Sequence, residues 1–486
     1  MINWIPYHFN VRMMKTVNYI LMIAMISGIV ASCDDFLQVD MKGQYTSESF
    51  FNSRENAIYA TTGIYNSLYG STLWIFGDVA SDDAVKGGNA GDQADINDID
   101  DFTASADNGV LNTYWQNAYE TVARANNVIA YLPGIDMDEA LKKRLIGEAR
   151  FLRAYAYFNL VNIFGDIPLK LEPQNTMETI YVGLSDVATV YAQIESDLEE
   201  AVDVLPAAYP TERGRATKGA ALALLAKTAL YQKEYGDCIT RIEELEALGV
   251  YALLESYENL FKVGAEDSTE VIFTLRYVDD EQVSLGNHLN VWFAPSIEGG
   301  YYFNAPTQSF VDAFNEETVD GEEDPRLDAS IGRDGKTWFN GTTFSASWSE
   351  ATGYLVKKYN EDMIPGKAKA QSLIPYHAIR YADVLLMKAE AFNETNRIPE
   401  AIDELNKVRE RVNLPPVITA NQSNLRAIIR MERRKELGFE FHRFFDLMRW
   451  GKEEAEKALA PQLTWTEPRF YFPIPQTEKD TNHAIQ

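Results

Sequence analysis

The sequence predicts a mainly α-helical protein, with tetratricopeptide-like helix pairs forming an α-solenoid core and a loop-rich subdomain containing short strands. Long stretches repeat apolar residues at helical spacing. Two helix pairs share one spacing of small residues, and segments rich in Gly, Asn and aromatics interrupt the helices. The 486-residue chain is long enough to bury a large core without disulfides.

The N-terminus is typical of a bacterial lipoprotein signal peptide at residues 1–32. Arg12 and Lys15 precede an apolar stretch at 19–30, and small residues then lead to Cys33. We expect the thiol of Cys33 to be acylated, so that lipid anchors a mature domain at 33–486. Residues 1–12 do not fit a signal peptide and are interpreted as an over-extended gene start. The chain contains no later apolar run of about 18 residues.

Charge and cysteine content narrow the possible partners. The chain carries a formal net charge of −28. Loss of Arg12 and Lys15 with the signal peptide would make it about −30, which argues against nucleic acid as a partner. Cys238 would be the one cysteine left after lipidation, so no intrachain disulfide is expected. It lies in a helical pattern and is predicted to be a small core residue.

Amphipathic patterns with start and stop signals predict the first helices. Asp138 is predicted to cap a long helix, and Gly165 to end it. The predicted helices cover residues 53–69, 111–132, 138–164 and 186–205.

Two later segments look like copies of one helical pair. Ala226 precedes Cys238 by twelve residues, and Ala389 precedes Ala401 by the same distance. Small residues at this spacing let two antiparallel helices approach closely across a short turn, as in tetratricopeptide repeats.

Two regions lack helical periodicity and are rich in Gly, Asn, Asp and aromatics, at about 70–109 and 262–375. Strand-like runs occur within the second, at 271–275 and 354–358. Long ordered loops on a rigid frame are the usual place for a binding site.

Catalytic and cofactor motifs are absent from the sequence, which lacks GxSxG, HExxH, CxxC and a glycine-rich phosphate loop. The mature histidines show no metal-ligand spacing. The acidic stretch at 92–101 lacks the EF-hand ligand order and is interpreted as a solvated loop. We therefore expect no enzyme activity, cofactor or metal, although a glycosidase with an unrecognised carboxylate pair stays open.

Several sequence blocks occur in a fixed order along the mature chain. They are CDDFL at 33–37, ANNVI at 125–129, EARFLRAYAYFNLV at 148–161, FGDIPL at 164–169, ATKGAA at 216–221, DPR at 324–326, IRYADVLLMKAEA at 379–391, LNKVR at 405–409, ERRKELGFE at 432–440, RWG at 449–451 and PIP at 473–475. In these blocks the chain resembles the SusD/RagB-like outer-membrane lipoproteins of Gram-negative glycan-utilisation systems.

The resemblance implies a cell-surface protein that binds oligosaccharide and delivers it to a SusC-like TonB-dependent transporter barrel. It implies a lipid anchor in the outer membrane, facing outside, with no other membrane contact. A relative that binds peptide, or an adaptor without its own ligand site, remains open.

Charged residues in the helical blocks are interpreted as buried ion pairs that stabilise the fold, not as a ligand site. They are Arg150, Arg153, Glu432, Arg433, Glu436, Asp446 and Arg449.

Candidate ligand residues come from the two loop-rich regions, because sugar recognition needs aromatic faces and hydroxyl-binding polar groups. We expect the aromatics to form one exposed platform. The first region offers Trp74, Phe76, Asp78, Asp82, Asp83 and Asn89, and the second offers Asn287, Trp292, Tyr301, Tyr302, Trp338 and Trp348.

Overall fold

A computed structural model describes residues 50–68, 72–279, 284–339, 341–460 and 470–485. The predicted signal peptide and Cys33 lie outside the described residues. The helices are α1 Arg54–Asn66, α2 Ala94–Asp100, α3 Gly109–Tyr131, α4 Glu139–Phe164, α5 Met177–Ile180, α6 Val187–Val204, α7 Lys218–Tyr231, α8 Tyr235–Glu246, α9 Leu289–Phe293, α10 Gln308–Asp312, α11 Pro325–Ser330, α12 Tyr381–Glu394, α13 Ile398–Arg411, α14 Gln422–Leu437, α15 Arg443–Trp450, α16 Lys452–Leu459 and α17 Gln476–Thr481.

The strands are short and form antiparallel pairs. β1 pairs with β7, β2 with β3, β4 with β10, β5 with β6 and β8 with β9. Their bounds are β1 Ala84–Gly87, β2 Ile167–Pro168, β3 Leu184–Ser185, β4 Val271–Leu275, β5 Val278–Asp279, β6 Ser284–Leu285, β7 Phe303–Pro306, β8 Ile331–Gly332, β9 Leu355–Val356 and β10 Tyr376–Arg380. The mainly helical fold class with short strands is confirmed.

Side-chain caps set the helix starts that the sequence predicted. The side chains of Ser53, Asp138 and Asp186 each accept a backbone N–H from the first turn of α1, α4 and α6. Gly165 ends α4 with a positive φ of 75°, which glycine adopts without strain.

The two predicted helix pairs are α7 with α8 and α12 with α13. Their small residues Ala226, Cys238, Ala389 and Ala401 are all fully buried where the helices meet. α8 also packs on α12, so the pairs stack as repeats do. The tetratricopeptide-like prediction is therefore confirmed.

The acidic stretch at 92–101 is largely the short helix α2, not the loop that the sequence predicted. Its apolar residues Ile96 and Ile99 are buried, so this helix packs against the core through them. Asp100 accepts the backbone N–H of Lys86 at 2.7 Å, and burial raises its pKa to about 7.

Buried ion pairs tie the helices together, as predicted for the charged residues of the sequence blocks. On α4, Arg150 and Arg153 both bind the fully buried carboxylate of Asp197 on α6. On α14, Arg433 binds Asp383 of α12 at 2.9 Å and Asp446 of α15 at 3.0 Å. These charged side chains stabilise the packing of the helices, because each is paired within the protein.

Candidate functional site

The β1–β7 ladder brings the two loop-rich regions together. Gly87 lies opposite Phe303, and the backbone N–H of Gly88 donates to the carbonyl of Tyr302 at 3.0 Å. Gly87 has φ 73°, and a Cβ there would lie 2.5 Å from the Tyr302 oxygen. Only glycine therefore allows this close approach without strain.

Two aromatic side chains, Trp292 and Tyr301, contact each other at this junction and reach solvent, and Tyr302 follows Tyr301 in the chain. Trp292 lies with its ring centroid 5.5 Å from that of Tyr301 and 5.4 Å from that of Phe303. Tyr301 is 51% exposed, and Trp292 and Tyr302 are partly exposed. We call Trp292, Tyr301 and Tyr302 the aromatic face.

Asn89 from the first region joins the aromatic face. The hydroxyl of Tyr302 donates to Oδ1 of Asn89 at 2.7 Å, and Nδ2 of Asn89 donates to Asp92 at 2.9 Å. Asn89 is exposed, so an amide and a carboxylate stand beside the rings. Four of the predicted site residues thus lie near the β1–β7 ladder in two contacting pairs, Trp292 with Tyr301 and Tyr302 with Asn89.

Trp74 lies beneath the aromatic face instead of belonging to it. Its ring contacts Trp292 at 5.8 Å and Phe293 at 5.4 Å between centroids, and only 1% of the residue is exposed. It therefore supports Trp292 from below and offers no free ring to a ligand. The prediction of one exposed platform that includes Trp74 needs this correction.

Trp338 is likewise buried, with 2% exposed, in a separate small cluster with Phe344 and Leu355. Its indole N–H donates to Glu298 at 3.0 Å, and Tyr302 and Trp348 pack against the same cluster. Trp338 thus supports the far side of the aromatic face, and it too has no ring surface left for a ligand.

Asp82 and Asp83 form a buried ion-pair group with two arginines, so they do not point to solvent as predicted. Arg443 binds Asp82 at 2.7 Å, and Arg434 binds Asp83 at 2.6 Å. Burial alone would raise the pKa of Asp82, but the arginines outweigh it and lower that pKa. The pKa of Asp83 is raised, because the arginines offset only part of the effect of burial. The pairs hold β1 against α14 and α15.

The remaining predicted residues are internal. Asn287 is buried, donating to the carbonyl of Ile374 and accepting the N–H of Leu289. Phe76 lies in the core, and Asp78 accepts from the side chain of Asn304 at 2.9 Å. Their polar groups are used within the protein.

Two charged residues near the aromatic face were not predicted. Glu298 lies in the loop between Trp292 and Tyr301, and Lys369 binds it at 2.8 Å. No periodicity or motif singles out either residue. The signal available was position, since Glu298 precedes the Gly299–Gly300 pair in the loop-rich region.

The described residues place exposed aromatic rings beside an amide and a carboxylate. Within them, no group of three His, Cys, Asp or Glu side chains is arranged to hold a metal ion. In the same part of the chain, no helix is both long and apolar enough to cross a membrane. Flat rings flanked by an amide and carboxylates can pack on one molecule and bind its polar groups.

Fold and surface together define a helical-repeat protein with an exposed aromatic surface built from loops. A family model described as SusD family matches residues 269–486, and one described as starch-binding, associating with outer membrane, matches residues 35–230. The chain belongs to the SusD/RagB-like family.

Individual relatives agree over nearly the whole chain. A SusD-like protein of Formosa agariphila is 28% identical and covers 90% of each chain. A solved laminarin-binding SusD-like protein is 28% identical, with TM-score 0.77 over 90% of this chain and 98% of its own. A SusD-like carbohydrate-binding protein of Bacteroides fragilis is 28% identical, with TM-score 0.79 over 90% of this chain and 100% of its own.

Proposed function

We propose that this protein is a cell-surface lipoprotein that binds oligosaccharide at the aromatic face and delivers it to a TonB-dependent transporter, without catalysis. The observations that carry the proposal are the ring contact of Trp292 with the exposed Tyr301 and the hydrogen bond of Tyr302 to the exposed Asn89, both next to the β1–β7 ladder. Solved relatives that bind laminarin or carbohydrate support this ligand class.

The chemistry of the aromatic face suits a sugar. The apolar face of a pyranose packs on a flat ring, and Tyr301 and Trp292 offer such rings from one side of the loop. The amide of Asn89 and the carboxylate of Asp92 can bind hydroxyls beside them. The support beneath from Trp74 keeps Trp292 in place, so less conformational entropy is lost on binding.

The proposed location follows from the lipoprotein signal and the family. A lipid at Cys33 would hold the domain at the outer membrane, facing outside, and the matching family description names association with the outer membrane. A binding protein at this place can pass its ligand to a SusC-like barrel. Retention of such a barrel by the detergent-solubilised lipoprotein tests this partner.

Calorimetric titration of the mature lipoprotein in detergent, against laminarihexaose and a panel of neutral oligosaccharides and peptides, tests the ligand. We expect Tyr301→Ala to weaken glycan binding about tenfold, because it removes an exposed ring. The melting temperature should stay the same, since 51% of Tyr301 is exposed. Tyr59→Ala is the matched control, as Tyr59 is 66% exposed on helix α1.

Three results would contradict the proposal. If a peptide binds saturably and no glycan binds, the ligand class is peptide and not oligosaccharide. Glycan binding that Tyr301→Ala leaves unchanged would place the site elsewhere. Release of shorter products from a glycan would make the protein an enzyme.

A further inference from the structure

Two carboxylates lie beside Tyr302 and keep their charges at the surface. Asp92 is exposed and accepts from Nδ2 of Asn89 at 2.9 Å, and Asn89 in turn accepts from the hydroxyl of Tyr302 at 2.7 Å. Glu350 is also exposed, and it follows Trp348, which packs against the same small cluster as Tyr302. Partial burial and the carboxylates of Glu350 and Asp92 raise the pKa of the Tyr302 phenol, so both carboxylates lie near that ring. Within the described residues, neither Asp92 nor Glu350 has an ion pair.

Two lysines contact the loops of the aromatic face, and both are used inside the protein. Lys86 is only 5% exposed, and its ammonium donates to the backbone carbonyls of Asn89 at 2.9 Å and Asp92 at 2.8 Å. It therefore holds that turn to β1. The ammonium of Lys369 binds Glu298 at 2.8 Å, and 7% of the lysine side chain is exposed. Both ammonium groups are thus covered by the protein, whereas the two carboxylates are not.

Exposed carboxylates treat neutral and acidic sugars differently. An ionised carboxylate accepts hydrogen bonds and donates none, so a sugar hydroxyl can donate to it in a strong, charge-assisted bond. A carboxylate or sulfate group on the sugar brings a second negative charge to the same place. At a few ångströms, and at the effective dielectric constant of a protein surface, that repulsion weakens affinity by at least about tenfold.

We propose that Asp92 and Glu350 make the aromatic face selective for glycans without acidic groups. A uronic acid or a sulfate ester on the sugar beside Tyr302 weakens binding, whereas a hydroxyl at that place strengthens it. This selectivity rests on the proposed function, because it belongs to the same face. It narrows the ligand from oligosaccharides in general to those that carry no acid.

Calorimetric titration of the mature lipoprotein in detergent tests the selectivity with matched pairs of hexaoses. Each pair is a neutral hexaose and the same chain with its C6 hydroxyl groups oxidised to carboxylates. The neutral members are laminarihexaose, cellohexaose and β-1,4-mannohexaose. Where the neutral member binds, we expect the oxidised member to bind at least about tenfold more weakly. The difference should shrink as salt rises from about 10 mM to about 1 M, because the Debye length falls from about 30 Å to about 3 Å.

The double variant Asp92→Asn with Glu350→Gln removes both charges and keeps the shapes of the side chains. In it, the difference between the two members of a pair should fall to less than about threefold. Each single substitution should remove part of the difference.

Asp203→Asn with Glu410→Gln is the matched control. Both residues are exposed, on α6 and α13, and have no ion pair within the described residues. The control changes the net charge by the same amount, so it separates the charges beside Tyr302 from the charge of the whole chain. Its selectivity should stay that of the unaltered protein, and the melting temperature shows that each variant folds.

Weaker binding of the oxidised member, with the difference lost in the double variant and kept in the control, supports the selectivity. Equal or tighter binding of an oxidised member overturns the selectivity and leaves the proposed function in place. A difference that the double variant keeps, or that the control loses as well, also overturns it, because other charges then cause the difference. Absence of binding by every hexaose contradicts the proposed function, and the selectivity falls with it.

Discussion

Arg433 shows how a single side chain holds this helical frame together. Its guanidinium is fully buried on α14 and reaches Asp383 on α12 and Asp446 on α15. Each carboxylate also has a further cation, Lys227 for Asp383 and Arg449 for Asp446. The group is satisfied as a whole, so its stability depends on every member being present.

We expect Arg433→Met to lower the free energy of unfolding by roughly 3–5 kcal/mol, because it leaves two buried carboxylates without their shared partner. Urea unfolding followed by circular dichroism measures the change. Arg54→Met is the control, since Arg54 pairs with Glu55 at the surface and should change stability by less than about 1 kcal/mol. Equal effects of the two variants would contradict this account.

The β1–β7 ladder is the element on which the aromatic face depends. β1 comes from the first loop-rich region and β7 from the second, and the backbone bond from Gly88 to Tyr302 extends the ladder to the rings. On the other side of β1, the carboxylates of Asp82 and Asp83 bind arginines of the helical frame. The ladder therefore transmits the rigidity of the helices to the loops.

Gly87→Ala should weaken both the ladder and glycan binding. Its φ of 73° disfavours alanine, and the new Cβ would meet the Tyr302 carbonyl at 2.5 Å. We expect a loss of about 1–3 kcal/mol in the free energy of unfolding and a weaker affinity in calorimetric titration.

Gly91→Ala is the matched control, because a Cβ at Gly91 would meet nothing within 4 Å. The two variants should therefore differ in both measurements. Unchanged binding in Gly87→Ala would show that the ladder does not position the aromatic face.

Buried histidines make the stability of the whole protein depend on pH. Burial lowers the pKa of His377 to about 4 and that of His442 to about 3. In the unfolded chain both titrate near the ordinary value of about 6.5. As pH falls below that value, the unfolded state binds protons that the folded state does not. The free energy of unfolding therefore decreases as pH falls.

Between pH 7 and pH 4 we expect the free energy of unfolding to fall by several kcal/mol, measured by urea titration at each pH. Below pH 4 the free energy of unfolding should continue to fall. Ion pairs outweigh burial and lower the pKa of Glu440 and Asp446 to about 2, so these carboxylates take up protons more readily in the unfolded chain than in the folded one.

The carboxyl group of Asp100 changes the stability in the opposite direction over part of this pH range. Its pKa is raised to about 7, so its contribution is present at low pH and is lost as pH rises through 7. Asp100→Asn should therefore make the fall between pH 7 and 4 steeper. A stability that stays constant from pH 7 to pH 4 would contradict the assignment of the histidines.

Local signals in the sequence predicted the helical frame well. The caps at Ser53, Asp138 and Asp186 act within three residues, and the run at 271–275 became β4 as predicted. The partner of β4, which is β10, was not predicted, because pairing across about a hundred residues leaves no mark in either strand.

The candidate site was predicted only in part, for the same reason. An aromatic in a loop-rich segment reaches solvent at Tyr301 but is buried at Trp74 and Trp338, and nothing within those segments separates the two outcomes. Asp82 was expected to face solvent, yet its partner Arg443 lies 361 residues further along the chain. Which side chain a loop exposes is decided by the tertiary contacts beneath it.

The hydrogen bond between Tyr302 and Asn89 joins positions 213 residues apart, which affects the order of folding. Contacts this distant form late, because closing a long loop is entropically costly, whereas helix pairs of neighbouring segments form early. The helical frame should therefore mature before the aromatic face. A chain that binds its ligand has completed these long-range contacts, so ligand binding is itself an assay of folding at the aromatic face.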